Sequence, residues 1–427
     1  MGFQPSFFLL RCRNGMANPI DEIAMCALSN NSVNAASYNP RLQLDAKDMT
    51  FRTDEQKVVD QQSTGTCWLQ AGVTFLSAIA ARRGLKIQFS VPHLVFFDKL
   101  HKSEAFLHAY AKAENERVRW HIIKEGVSDG GTWGMFMFLV RTYGLIPYDA
   151  RLPTRHAQST RQYNDYLNNY LRDVAPLVAD GTLDFDRAMH PVLVSLMRAF
   201  APPVAAVQLS AHTHGRDFQG SPLAVASLVR QEWPYVVLCH SPDRSDGVYI
   251  GPFTNDALDP EQDAFHVVQM DTLVQACLRQ LECEIPIWFT CDVHYDFSSK
   301  MGVAEENLFN IEALLGLPKT HSKRDRMKNL STAPVHAMLL TAVKVVDGVP
   351  QQWRIQNSWG SDTTHNDGFI TASHAWFCSH VFQVAVDSCF VRLPPAPDDK
   401  IYLPPWDIFA TVARSDPSFV ESLCVPA

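Results

Sequence analysis

Four residues of this 427-residue chain have the types and the order that acyl transfer needs. The first two lie in Asp60-Gln61-Gln62-Ser63-Thr64-Gly65-Thr66-Cys67-Trp68, where a turn containing Gly65 delivers a cysteine to the start of a helical pattern. A thiol at that place feels the positive end of the helix dipole, which favours the reactive thiolate. The unused N–H groups of the first turn point at whatever sits over the sulfur. Gln61, six residues upstream, returns a side-chain amide to the same spot, so the pair has the makings of an oxyanion hole. Alone, Cys67 reads better as a buried structural cysteine. It needs a base.

That base is offered by His336 in Ala333-Pro-Val-His-Ala-Met338, and its orienting partner by Asn357 in Trp353-Arg-Ile-Gln-Asn-Ser-Trp-Gly360. An imidazole that serves a thiol must be held in one tautomer. An amide oxygen can accept the ring N–H that faces away from sulfur without adding a second negative charge. Trp359 would shield that hydrogen bond from water, and Trp68 would pack behind the nucleophile. A lone histidine fits a core position, and a lone asparagine fits a turn. Gln, then Cys-Trp, then His, then Asn-Ser-Trp-Gly in one chain is far more specific than any single piece.

The elements that must position these residues divide the chain. Residues 1–57 show turn-formers and no sustained apolar period, so they read as an irregular segment. In residues 58–150 the apolar set Leu69, Val73, Leu76, Ile79 and Ala80 has helical spacing, Gly84 stops it, and further helical stretches follow from about Pro92 and over Trp133 to Tyr143. Residues 151–284 continue as a mostly helical region, with helical patterns over 159–178 and 184–200. Strand-like runs then gather: Pro234 to Cys239, Ile285 to Thr290, Leu339 to Val346, Trp353 to Gln356 and Val381 to Val386. Residues 285–393 therefore form a β-rich lobe carrying His336 and Asn357, and residues 394–427 form a Pro-rich arm. Helices first and strands later predict an α+β fold of two packed lobes.

Composition excludes several classes. Apolar residues make up 46% and charged residues 19%, which is globular rather than disordered. A net charge of −8 argues against nucleic acid or an anionic membrane as partner. The ten cysteines form no Cys-x-x-Cys pair, which points to a reducing, cytoplasmic setting rather than a disulfide framework. The apolar run Phe7 to Leu10 is too short for a signal or a membrane span. Met1-Gly2 with Ser6 fits only the loose myristoylation pattern, and Met16 is an alternative start. His212-Thr-His214 lacks a third ligand, so these read as loop histidines, and neither metal nor cofactor is expected.

The motifs together resemble the papain superfamily, with Gln61, Cys67, His336 and Asn357 on its functional positions. In papain-type enzymes the His and Asn follow the Cys by about 130–150 residues. Here 269 residues separate Cys67 from His336, so a domain-sized insertion lies within the site. That layout resembles the bleomycin hydrolase or aminopeptidase C family. Collinear segments support it: Phe96 to Leu100, Asp129-Gly-Gly-Thr-Trp-Gly-Met135, Tyr143 to Pro147, Tyr163-Asn-Asp165, Ile287 to Asp292, His336-Ala-Met338 and Leu403-Pro-Pro-Trp-Asp407.

The resemblance implies a papain-like two-lobed core with a large helical insertion and a C-terminal arm in the cleft. It also implies a homohexamer, and an aminopeptidase that takes peptides with a free amino terminus and hydrolyses bleomycin-like amides. In such proteins the arm's terminal carboxylate meets the substrate's amino group. This chain departs there: Trp406 and Asp407 keep the arm's approach, but the family tail ends near what is here Ala413, and residues 414–427 continue. The extension is clipped, threads the cleft and blocks it, or takes another path. Clipping is the expectation. An open cleft would make the protein a papain-like endopeptidase, and a silent site would leave a chaperone-like scaffold. An arylamine acetyltransferase is disfavoured by Asn357, because those enzymes use Asp there. Gln70 and Val335 also depart from the residues usual beside the Cys and the His.

Overall fold

The structure, a computed structural model, describes residues 19–42, 44, 47–151, 153–209, 218–229, 234–251, 264–318, 322–361, 367–393, 400–404 and 406–409. The Met1-Gly2 pattern, Met16, His212, His214 and Ala413 lie outside the described residues.

Two layers meet at a central sheet. On one side are helices α3 (Cys67–Arg82), α4 (Val91–Lys112), α5 (Glu116–Glu125), α6 (Trp133–Tyr143), α7 (Arg161–Ala179) and α8 (Phe185–Phe200), preceded by α1 (Pro19–Asn30) and α2 (Val33–Ser37). The sheet's main strands are β1 (Tyr235–Cys239), β2 (Gly247–Ile250), β3 (Ala264–Val267), β4 (Ile287–Cys291), β5 (His336–Val346), β6 (Val349–Gln356), β7 (Phe369–Ser373), β8 (Val381–Asp387) and β9 (Ile401–Tyr402). They run in the order β9-β2-β3-β1-β8-β4-β5-β6-β7, extended past β7 by Val303–Ala304 and Phe297–Ser298. Helices α9 (Met270–Glu282) and α10 (His374–His380) belong to the other side of the sheet.

The helical and strand patterns read along the chain fall on these elements. Two features differ from the reading. The N-terminal segment carries α1 and α2, which the apolar period could not reveal because α1 buries none of its residues. Its marks are local instead: Pro19 at the first helical position and Asp21 and Glu22 in the first turn. The region between residues 151 and 284 also gives the sheet β1, β2 and β3, joined through β1 pairing to β8.

The central strands are buried on both faces, and their alternation sorts side chains between two cores. Ala337 and Leu339 of β5 and Trp288 of β4 join the core that holds Trp68, Phe75, Phe96 and Phe136. Met338, Leu340, Ile287 and Phe289 join the one built around Trp353, Trp376 and Phe377. Each of these large side chains gains about 1.5–3 kcal/mol by leaving water. Helix α3 lies against β5, and its first residue, Cys67, meets the N–H of Ala337 near the start of that strand.

Candidate functional site

Cys67 is the first residue of α3, with Thr66 as N-cap. The helix takes its first bonds at Leu69 and Gln70, whose N–H groups donate to the Thr66 carbonyl. The N–H groups of Cys67 and Trp68 are thus left for the sulfur, and both favour its charged form. The N–H of Ala337, on β5, contributes in the same sense. The thiol is 5% exposed, and burial outweighs these donors and pushes it up to about 11. Burial likewise pulls the His336 imidazole down to about 4, against the opposing pull of its Asn357 hydrogen bond. Neither charge is favoured alone in this enclosure; a thiolate and an imidazolium formed together would each offset the other's cost.

The hairpin of β5 and β6 brings His336 to Asn357. Val346 pairs with Val349, and the two residues between, Asp347 and Gly348, have φ of 51° and 78°. That is the left-handed pair a type I′ turn demands, and Asp-Gly supplies it. Leu339 faces Gln356, so the register carried three residues further sets His336 beside Trp359. Their rings are 4.7 Å apart. His336 Nε2 lies 2.9 Å from Asn357 Oδ1, and the Ser358 N–H donates to the same oxygen at 2.8 Å. A backbone N–H can only donate, so that atom is the amide oxygen, and His336 must carry its proton on Nε2. Nδ1 is then the bare nitrogen that can take a proton.

Gln61 is equally determined. Its Oε1 accepts from Ser358 Oγ at 2.7 Å, and its Nε2 donates to the Thr64 carbonyl at 2.6 Å. One amide hydrogen is committed there and a second remains for a ligand. The Gln61 N–H also donates to the Ser358 carbonyl at 2.8 Å. Ser358 thus touches Asn357 and Gln61 at once. It lay unremarked inside the Asn-Ser-Trp-Gly run, and only the fold reveals its second contact. Next to it, Gln62 is left-handed, with φ 55°, held by its own N–H and side-chain amide on Asp60.

The structure brings Gln61, Cys67, Trp68, His336, Asn357 and Trp359 into one buried group, none more than 5% exposed. Gln70 faces Val59, Thr74 and Gln356 beside Asn357, and Val335 is buried with its N–H on the Cys291 carbonyl. Trp406 and Asp407 stand apart on the arm. Asp407 bonds Arg244 at 2.6 Å, and Trp406 is half exposed near Arg117 and His121. No group of three or more metal-binding side chains and no disulfide occurs among the described residues.

A family model matches residues 11–182 and 232–410, most of the chain. The chain belongs to the Peptidase C1-like family. Among curated relatives, aminopeptidase C of Listeria monocytogenes is 24% identical over 94% of this chain and 97% of its own length. Bleomycin hydrolase of Gallus gallus is 25% identical over 84% of this chain and 86% of its own, and the human protein is 24% identical over the same shares. PepW from Lactobacillus rhamnosis superimposes with a TM-score of 0.85 over 95% of this chain and 98% of its own, at 23% identity. The papain-like α+β fold and the bleomycin hydrolase and aminopeptidase C branch follow from these likenesses. No helix of the described residues is long and apolar enough to cross a membrane.

Proposed function

We propose that this chain is a cysteine aminopeptidase that releases residues from the free amino terminus of peptides through a thiol acyl-enzyme, and that it hydrolyses bleomycin-like amides. The observation that carries the reading is the His336–Asn357 bond, which leaves Nδ1 as the only imidazole nitrogen free to take a proton. In the proposed cycle the Cys67 proton passes to His336 Nδ1 as sulfur attacks the peptide carbonyl. The Cys67 N–H and the second Gln61 Nε2 hydrogen hold the oxyanion. His336 then gives its proton to the leaving amine and next activates the water that releases the acyl group. No step requires a metal or a cofactor.

The amino-terminal preference is assigned to the arm. The described residues of the arm, 400–404 and 406–409, are anchored: β9 pairs with β2, Asp407 bonds Arg244, and Phe409 is buried against Phe265 and Phe382. Phe409 also borders Thr132 and Trp133, on the loop and helix that follow Asp129. Clipping after Ala413 would give the arm a carboxylate for the substrate amine. A cytoplasmic homohexamer completes the proposal, on the strength of the family likeness alone.

The decisive experiment compares wild type with Cys67→Ala on aminoacyl and N-acylated fluorogenic substrates, with labelling by an epoxysuccinyl thiol inhibitor. Thiol-dependent hydrolysis confined to free-amino substrates and lost in the variant is expected. Hydrolysis that survives in Cys67→Ala would refute the nucleophile. Intact mass tests the clipping, which an uncut, fully active aminopeptidase would exclude.

A further inference from the structure

The stretch just before α6, residues 128–131, takes no part in the cycle above, yet it grips both sides of the nucleophile. The Asp129 carboxylate accepts the Gly65 N–H at 3.0 Å, two residues before Cys67. The Asp129 carbonyl accepts the Trp68 indole N–H at 2.7 Å, one residue after it. Asp129 is 3% exposed, and all its oxygens are engaged. Lys99 and the Asn164 amide, at 2.8 Å, donate to Oδ1, and Thr160 shares Oδ2 with Gly65. Lys99 bonds the Ser128 carbonyl as well, and Lys102 bonds the Ser128 and Gly130 carbonyls and Asp98. The loop also presses on the indole, since a Cβ at Gly131 would come within 2.4 Å of the Trp68 ring.

We propose that Asp129 is a positioning residue, which sets Cys67 Sγ relative to the first-turn N–H groups of α3 and to His336 through its two bonds to Gly65 and Trp68. The proposal rests on the reading of Cys67 as nucleophile. A helix start held only by its preceding turn could rock about Thr66. Bonds on both flanks, backed by two lysines from α4 and two side chains from the start of α7, remove that freedom. A nucleophile misplaced by about 1 Å can lose on the order of a hundredfold in rate. The Asp129 charge also acts on the thiol, holding it up. The charged and titratable groups around the two are Lys99, Lys102 and Asp98 from α4, Cys291 from β4 and His336 from β5.

The test measures kcat and KM on an aminoacyl amide, together with the pH profile of Cys67 alkylation by iodoacetamide, in Asp129→Asn and Trp68→Phe. Asp129→Asn should lower kcat at least about tenfold with KM held within about twofold, because the chemistry and not the docking is misaligned. Its alkylation profile should move to lower pH, since a negative charge beside the thiol is gone and Lys99 is left uncompensated. A thiol more easily ionised yet slower to turn over separates positioning from loss of folded protein. Trp68→Phe removes only the indole donor and should lower kcat with the alkylation profile unmoved. Asp129→Asn folded with wild-type kcat and profile would overturn the proposal. Should that variant not fold, Trp68→Phe with kcat within about twofold of wild type overturns it instead. Hydrolysis surviving in Cys67→Ala overturns the nucleophile itself and is seen in a separate measurement.

Discussion

At the scale of single residues, the site is a chain of oriented amides and ring nitrogens. Asn357 can orient His336 because its oxygen is pinned by the next N–H along the backbone. Gln61 can present one hydrogen because its other hydrogen and its oxygen are taken. Gln61→Ala should therefore lower kcat by about 10²–10³, the usual cost of one oxyanion donor, with little change in KM. Ser358→Ala removes only the hydroxyl that holds Gln61 Oε1. A neutral hydrogen bond contributes about 1 kcal/mol, so kcat should fall by roughly tenfold or less. Steady-state kinetics on one aminoacyl substrate checks both, and a Ser358→Ala loss larger than that of Gln61→Ala would reverse their order.

At the scale of elements, two devices decide geometry. One is the β5–β6 hairpin, whose Asp-Gly turn starts the pairing and whose two offsetting register shifts, between Lys344 and Val345 and between Leu340 and Ala342, leave His336 beside Trp359. The other is the arm's anchorage, where the Arg244 guanidinium bonds Asp407 and lies 4.9 Å from the Phe409 ring and 5.5 Å from that of Tyr249. Arg244→Ala removes the ion pair and both ring contacts, none of which involves the Cys67 group. If the arm imposes the amino-terminal preference, the variant should gain activity on N-acylated peptides relative to free-amino peptides, by about tenfold. An unchanged ratio would remove the arm, as anchored here, from the account of specificity. Packing at the α3 start offers another test. Gly131→Ala forces a methyl group into the Trp68 indole, and overpacking of this kind costs about 1–3 kcal/mol, readable in the urea midpoint.

At the scale of the whole molecule, the buried histidines make stability depend on pH. Burial brings His93 and His336 each down to about 4, with His240 at a similar value and His266 and His374 moved the same way. Between about pH 4 and 6.5 the unfolded chain binds protons at these sites that the folded chain refuses. Stability then rises with pH through that window and falls on acidification, by up to about 1.4 kcal/mol per pH unit for each of His93 and His336. Urea unfolding at pH 7 and pH 5 measures it. Equal stability at the two values would mean that these rings are not buried in the neutral form.

Residue order and local periodicity were enough to single out Gln61, Cys67, His336 and Asn357, which the fold gathers into one buried group. Chemistry restricts which side chains can fill those positions, and the motifs around them are contiguous. The helices over Trp133–Tyr143, Arg161–Ala179 and Phe185–Phe200 were legible for a similar reason, since each buries one face at helical spacing, while Cys67–Arg82, buried nearly all round, was legible from its apolar residues and its Gly84 stop. Helix α1 escaped because it buries nothing, and its caps alone speak for it. The joining of β1, β2 and β3 to the central sheet was equally hidden, because pairing partners more than a hundred residues apart leave no local trace. Tertiary structure alone revealed that Ser358 couples Gln61 to Asn357, that Asp129 braces both flanks of Cys67, and that Arg244 holds the arm. Each joins polar atoms distant in sequence, and burial makes such atoms find partners wherever the fold provides them.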